Sequence, residues 1–195
     1  MEIQILEDRI QNSYLGDKEI CKHIIKKYIY STTYTIDLVK EYNELRYNKN
    51  HGIYRKWINN NLILECNYVN GILYGEYKEW NHRGNISIES NYRNNIKHGK
   101  CKKWSYEGNI ILNCHFADGK LQGKYKEWSD DGVLWTHCIY KEGMRHGKYK
   151  EWWGNGKLWI DANFTNNVYD GEYKEYNIAG KLIKHCIYDD GKEVK

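Results

Sequence analysis

From Val133 to Tyr140 the chain alternates: Leu134, Thr136, Cys138 and Tyr140 fall on one side of an extended strand, Val133, Trp135, His137 and Ile139 on the other. The same register recurs as Leu62, Leu64, Cys66, Tyr68; Ile86, Ile88, Ser90, Tyr92; Ile110, Leu112, Cys114, Phe116; and Leu158, Ile160, Ala162, Phe164. Read as columns these are aliphatic, mostly aliphatic, small and aromatic; Leu182, Lys184, Cys186 and Tyr188 break the pattern once, at the lysine. Before each run stands a short aromatic segment bounded by glycine, such as Gly123 to Trp128, which predicts a strand rather than a helix. Ser129, Asp130, Asp131 and Gly132 then predict a type I turn closed by a glycine with positive φ. Lys141, Glu142 and Gly143 turn the chain back, so each unit reads as a β-hairpin.

The hairpins keep a fixed interval. Leading glycines Gly75, Gly99, Gly123, Gly147 and Gly171 are each 24 positions apart, and Gly52 precedes Gly75 by 23. A second glycine keeps the beat at Gly84, Gly108, Gly132, Gly156 and Gly180, and a turn position does so at Gly71, Asn95, Gly119, Gly143, Asn167 and Gly191. Such a period signals stacked units, none of which buries its apolar face alone. The predicted fold is mainly β: an elongated single-layer antiparallel β-meander of about six tandem hairpin repeats, hence about twelve strands, over residues 51–195. At ~4.8 Å between strands, equivalent residues of neighbouring repeats lie ~10 Å apart and the array runs about 55–60 Å. A sheet with an uncovered apolar face is expected to curl, dimerise or bind a partner.

Residues 1–50 are read as an N-terminal cap. Asp17 and Glu19 mark a helix start, with Ile20, Ile24, Ile25 and Tyr28 on one face; Thr33 to Arg46 fits a second helix or degenerate strands. Hairpin register stays open at this level. A three-residue loop with a glycine bulge sets Trp80 opposite Ile86 and carries Lys78 to the apolar face. A four-residue loop sets Trp80 opposite Asn85 and leaves the aliphatic columns with Tyr77.

Composition narrows the function. In 195 residues, an array of this length leaves no room for a separate catalytic domain of ~100 residues. A net charge of +4 makes no case for nucleic acid. No apolar run approaches the ~18 residues of a membrane span, and acid stands near the N-terminus where a secretory signal has base, so an intracellular, cytoplasmic location is expected. Proline is absent while Asn, Ile, Lys and Tyr abound, the imprint of an AT-rich genome.

Six cysteines and eight histidines suggest metal chemistry, but position argues otherwise. Cys66, Cys114, Cys138 and Cys186 share a column with Ser90 and Ala162, which selects small size. Cys114 and Cys138, in adjacent repeats, are placed beyond the ~7 Å Cα limit of a disulfide. Cys101 replaces the motif tyrosine and Cys21 lies in the cap. His115, His137 and His185 neighbour cysteines but face the other way. His51, His98 and His146 precede leading glycines, as Tyr74, Gln122 and Asp170 do elsewhere, and read as surface variation. Glu79, Glu127, Glu151 and Glu175 read as an exposed charge ladder. No catalytic residues, cofactor or metal are expected.

One constellation points to binding. A base stands three after each leading glycine, at Arg55, Lys78, Lys102, Lys126, Lys150 and Lys174, and an aromatic ring five after it, at Trp57, Trp80, Trp104, Trp128, Trp152 and Tyr176. The two columns share a face, joined by Lys100, Lys124 and Lys148 in the middle copies. Lys78, Trp80, Lys102, Trp104, Lys126, Trp128, Lys150, Trp152 and Lys174 form the candidate face for an anionic partner, set against the plain alternative of lysine stems packing over rings.

With the repeat in hand, the chain resembles MORN-repeat proteins, specifically a variant class with a 24-residue unit. It departs from the usual Gly-Xaa-Gly pair, carrying Tyr77, Tyr125, Tyr149 and Tyr173 where the second glycine stands. The resemblance implies a non-enzymatic scaffold that binds a protein partner or self-associates, with homodimers known among relatives. The alternative it implies is a peripheral membrane or phosphoinositide adaptor using the Lys/Trp columns, which the departure counts against. A second alternative is an antitoxin-like neutralising protein. AT-rich giant viruses of amoebae carry many such arrays, and a viral source is the matching expectation.

Overall fold

The computed structural model describes residues 51–194. They form one open antiparallel sheet in which the strands follow one another as a meander. The strands are β1 (Gly52–Ile58), β2 (Asn61–Val69), β3 (Ile72–Trp80), β4 (Ile86–Arg93), β5 (Ile96–Trp104), β6 (Ile110–Ala117), β7 (Lys120–Leu121), β8 (Gly123–Trp128), β9 (Leu134–Lys141), β10 (Met144–Trp152), β11 (Leu158–Thr165), β12 (Val168–Tyr176), β13 (Leu182–Asp189) and β14 (Lys192–Glu193). There are 14 because β7 and β8 are one repeat strand broken at Gln122, and because β14 adds a short rung beside β13. The rest are the strands the repeat predicts. The cap expected over residues 1–50 lies outside the described residues.

Two turn types alternate along the sheet. At one edge Gly84 N–H donates to the Asn81 carbonyl and Asn81 N–H to the Asn85 carbonyl, both at 2.9 Å, closing a three-residue loop. Equivalent bonds recur at Ser105, Ser129, Trp153 and Asn177. At the other edge stand two-residue turns with both φ positive, as at Asp118 (47°) and Gly119 (82°), the shape that matches strand twist in tight hairpins. These turns also interlock: Gly119 N–H donates to the Lys97 carbonyl at 2.8 Å and Gly143 N–H to that of Leu121 at 2.9 Å, each reaching into the preceding repeat.

In three copies the position before the leading glycine takes part in these turns. His98 Nδ1 accepts from Asp118 N–H at 3.3 Å, His51 Nδ1 from Asn70 N–H at 3.2 Å, and Gln122 Oε1 from Glu142 N–H at 2.9 Å. Sequence reasoning took this column for surface variation. In these three copies the site uses a hydrogen-bond acceptor, which His and Gln both supply, whereas the buried His146 Nδ1 has no partner among the described residues.

Register is resolved by an extra residue in each hairpin. Trp80 pairs with Ile86, as the three-residue loop requires, yet Glu79 pairs with Ile88, so Ser87 is an inserted bulge residue. The same shift occurs between Lys103 and Trp104, Glu127 and Trp128, Glu151 and Trp152, and Glu175 and Tyr176. A bulge brings two side chains of one strand against one of its partner. Trp159, a bulge residue, accordingly lies on the tyrosine face, where its Nε1 donates to Glu175 Oε1 at 3.4 Å. Lys78 is therefore not carried to the apolar face, as the simple three-residue reading held. The first aliphatic column also leaves that face, since Ile86, Ile110, Leu134 and Leu158 pair with tryptophans.

The core is one side chain deep. Tyr77 pairs with Ser90, Tyr125 with Cys138, Tyr149 with Ala162 and Tyr173 with Cys186. The small residues Cys66, Ser90, Cys138 and Ala162 are each 1% exposed. They are covered by rings leaning over them from both sides: Tyr77 and Tyr92 at 5.4 Å between centroids, Tyr125 and Tyr140 at 5.4 Å, Tyr149 and Phe164 at 5.0 Å, and Tyr173 and Tyr188 at 5.6 Å. Such tilted contacts suit aromatic quadrupoles. On the apolar face, expected to curl, dimerise or bind a partner, the small column is thus closed by the chain's own rings. Tyr125 Oη donates to Glu127 at 2.9 Å and Tyr173 Oη to Glu175 at 3.2 Å, with Tyr77–Glu79 and Tyr149–Glu151 matching them. The glutamate column read as an exposed ladder is therefore half-buried and anchors the phenols.

A Cβ added to Gly119 would meet Ile96 Cγ2 at 2.9 Å, whereas one added to Gly132, at a nearly equal φ of 84°, meets nothing within 4 Å. Gly132→Ala is expected to cost about 1–2 kcal/mol, the left-handed penalty alone. Gly119→Ala should cost clearly more, read as a lower urea midpoint; equal midpoints for the two variants would refute the interlocked-turn account.

Candidate functional site

The Lys/Trp columns lie on the face opposite the tyrosines, because strand alternation from Tyr77, Tyr125 and Tyr149 puts their neighbours across the sheet. Cross-strand register joins the basic column into a continuous row. Arg55 pairs with Glu65, Glu65 with Lys78, Lys78 with Glu89 and Glu89 with Lys102. The row continues from Lys102 to Asn113, Lys126, His137 and Lys150, then to Asp161, Lys174 and His185. Every second member is basic, so lysines repeat at ~10 Å along the sheet. What varies is the residue between them: acid at Glu65, Glu89 and Asp161, but Asn113 and His137 in the middle.

That substitution decides the electrostatics. Toward the ends the cations are neutralised: Arg55–Glu65 at 2.6 Å, Lys78–Glu76 at 2.8 Å, Lys150–Asp161 at 2.9 Å and Lys174–Glu172 at 2.7 Å. Among the described residues, no ion pair within 4 Å engages Lys100, Lys102, Lys124, Lys126 or Lys148. The column Ile53, Glu76, Lys100, Lys124, Lys148 and Glu172 likewise turns basic at its three inner lysines. A cationic centre thus sits on β5, β6, β8, β9 and β10 between two self-neutralised flanks. His137 registers the field: burial, and then Lys126, Lys124 and Lys150, hold its imidazole below the ordinary value of 6.5.

The tryptophans border this row. Trp80, Trp104, Trp128 and Trp152 are half-buried beside the aliphatic residues they pair with, while Trp57 is exposed. Partial burial of this kind suits rings that fill the space left by the bulge and still present an edge to solvent. The structure therefore places Lys78, Lys102, Lys126, Lys150 and Lys174 in one row with Trp80, Trp104, Trp128 and Trp152 along its margin. It also separates them electrostatically, with Lys78, Lys150 and Lys174 engaged and Lys102 and Lys126 free of ion pairs among the described residues.

Sequence reasoning missed the intervening column, Glu65 to His185, because its side depends on the bulge. It also treated Cys101 as a plain replacement of tyrosine. Cys101 in fact stands directly across from Cys114, so a distance argument made between Cys114 and Cys138 says nothing about it.

Comparison with known proteins identifies the repeat. Residues 73–94, 121–142 and 145–166 match the family model of the MORN repeat variant. These segments are the hairpins built on β3–β4, on β7 to β9, and on β10–β11. MORN repeats are generally associated with protein or membrane binding. No curated protein matches the chain.

Because the folded His137 resists protonation while the unfolded one does not, stability is complete above pH ~6.5 and falls as pH drops below it. In an NMR titration assigned with His137→Asn, His137 should titrate below 6.5, and Lys126→Gln should raise its midpoint. A midpoint at or above the ordinary value would refute the cationic centre.

Proposed function

We propose that this protein is a non-enzymatic scaffold that holds an acidic segment of a partner protein along the Lys/Trp face, over β5 to β10. The observation that carries this reading is the exchange of acid for Asn113 and His137 between the central lysines. Elsewhere on the face the sheet satisfies its own cations; here an incoming carboxylate can do so. Regular lysine spacing suits an extended chain laid across the strands, and the bordering tryptophans offer apolar contact without demanding a shaped pocket. Surface ion pairs are individually weak, so the reading requires several lysines acting together.

The test uses an acidic peptide of alternating Glu and Leu, with vesicles rich in phosphatidylserine as the competing probe, both followed by intrinsic tryptophan fluorescence. Peptide binding is expected at low salt, weakening as ionic strength rises. Lys102→Glu with Lys126→Glu should weaken it by about tenfold or more, while Lys78→Glu has a smaller effect. Vesicle binding without peptide binding would transfer the face to a membrane surface. Saturable self-association by sedimentation, abolished by the same double variant, would replace the acidic partner with a second copy. Peptide affinity unchanged in the double variant would refute the proposal.

A further inference from the structure

Five hairpins set an aromatic ring against the small residue: Tyr54 faces Cys66, Tyr77 Ser90, Tyr125 Cys138, Tyr149 Ala162 and Tyr173 Cys186. The β5–β6 hairpin alone sets thiol against thiol, Cys101 against Cys114. We infer that Cys101 and Cys114 are a modification site, a cross-strand dithiol that closes reversibly to a disulfide under a peroxide oxidant.

Four observations converge. First, directly opposed residues of antiparallel strands have Cα atoms about 4.5 or 5.5 Å apart, and both spacings lie inside the disulfide range. No strand has to move for the bond to form. Second, the two thiols lie near enough that each acts on the other's proton, and both are free. Third, the surrounding repeat changes with them. The motif glutamate is replaced by Lys103, and Lys97, whose Nζ lies 5.4 Å from the Phe116 ring centroid, stands on the other side. The Cys114 thiol first, and then the Lys97 and Lys103 ammonium groups, hold the Cys101 thiol below its ordinary value, while Cys101 and then burial push Cys114 up, so the pair favours a single thiolate. A lone buried thiol behaves otherwise: burial pushes Cys138 up to about 11. Fourth, the aromatic lid is incomplete here, since Phe116 has no ring opposite it to close over the sulfurs. A hollow lined by Lys103, Leu112, Tyr125 and Glu127 opens on the next rung of this face. Cys101 and Cys114 are nonetheless 1% and 4% exposed, which favours an oxidant as small as peroxide over a protein thiol.

The chemistry balances in two steps. The thiolate attacks one oxygen of hydrogen peroxide, the O–O bond breaks, and the departing hydroxide takes a proton to become water, leaving a sulfenic acid. The neighbouring sulfur then attacks the oxidised one, the S–O bond breaks and a second water leaves. Two thiols have lost two electrons and two protons, and the peroxide has become two waters. A small thiol reductant reverses the bond by exchange.

The experiment treats the full chain with dilute hydrogen peroxide, blocks remaining thiols with iodoacetamide in denaturant, and maps unreduced peptides by mass spectrometry. The expected result is a peptide containing Cys101 linked to one containing Cys114 in the same chain. Cys66, Cys138 and Cys186, equally buried but without a thiol partner across the strand, should be recovered alkylated, and dithiothreitol should restore Cys101 and Cys114. Cys101→Tyr, which restores the residue of five other hairpins, should fold and leave Cys114 alkylated. Cys101→Ser serves as the second variant should the ring not fit beside Cys114. Alkylation of Cys101 to the same extent as Cys138 would overturn the inference. So would oxidation to sulfinic acid without a linked peptide, or linkage between chains only.

Discussion

A single layer of strands has no second layer to pack against, so each side chain must be covered by its neighbours within the same sheet. That constraint explains why the column beneath the tyrosines admits only Cys, Ser and Ala. A larger residue would lift the rings that lean together above it and open the shallow buried strip of the described sheet. The Tyr–Glu hydrogen bonds follow from the same geometry. A phenol drawn flat over a small residue brings its hydroxyl to the rim, where a glutamate two positions along the strand can accept it. Stability in such an object is a sum of repeat and neighbour terms, and here the most deeply packed rings lie from β9 to β13.

The bulge beside each three-residue loop is the second organising feature, and it marks the limit of what the amino-acid sequence discloses. Hairpins, their number, both turn positions and the alternation of aromatic and small columns were legible, because glycine, asparagine and periodicity state them directly. The inserted residue was not. The inserted residues are Ile63, Ile111 and Ile183, Trp135 and Trp159, and Ser87, types that ordinary strand positions hold as well, so their identity does not announce a bulge. Yet that insertion assigns the first aliphatic column to the tryptophans and keeps the lysines away from the tyrosines. The candidate face was therefore recognised as a set of columns before its side of the sheet could be named. Its uneven charge emerged only when cross-strand partners were known, since Asn113 and His137 are unremarkable until seen between lysines.

The same distinction separates Cys101 from the other thiols. Comparing equivalent positions of successive repeats asks which residues recur, and by that measure a cysteine in place of tyrosine is an isolated substitution. Comparing the two strands of one hairpin asks which residues meet. Repeat proteins reward the first comparison so readily that the second is easily neglected, although local chemistry depends on it. The β5–β6 hairpin departs from the others at Cys101 and Asn113 together, on both faces, and shares with the first hairpin alone a lysine, Lys103, in the glutamate column.

Each two-residue turn reaches by its amide only to the unit before it, and every strand pairs only with its immediate neighbours. Among the described residues, no contact therefore measures the total number of hairpins. A whole unit can be duplicated or deleted between two leading glycines without shifting the pairing of those that remain. The reach of the ladder is in this way an adjustable dimension, open to change by unequal copying of the gene while the chemistry of each rung stays as it was.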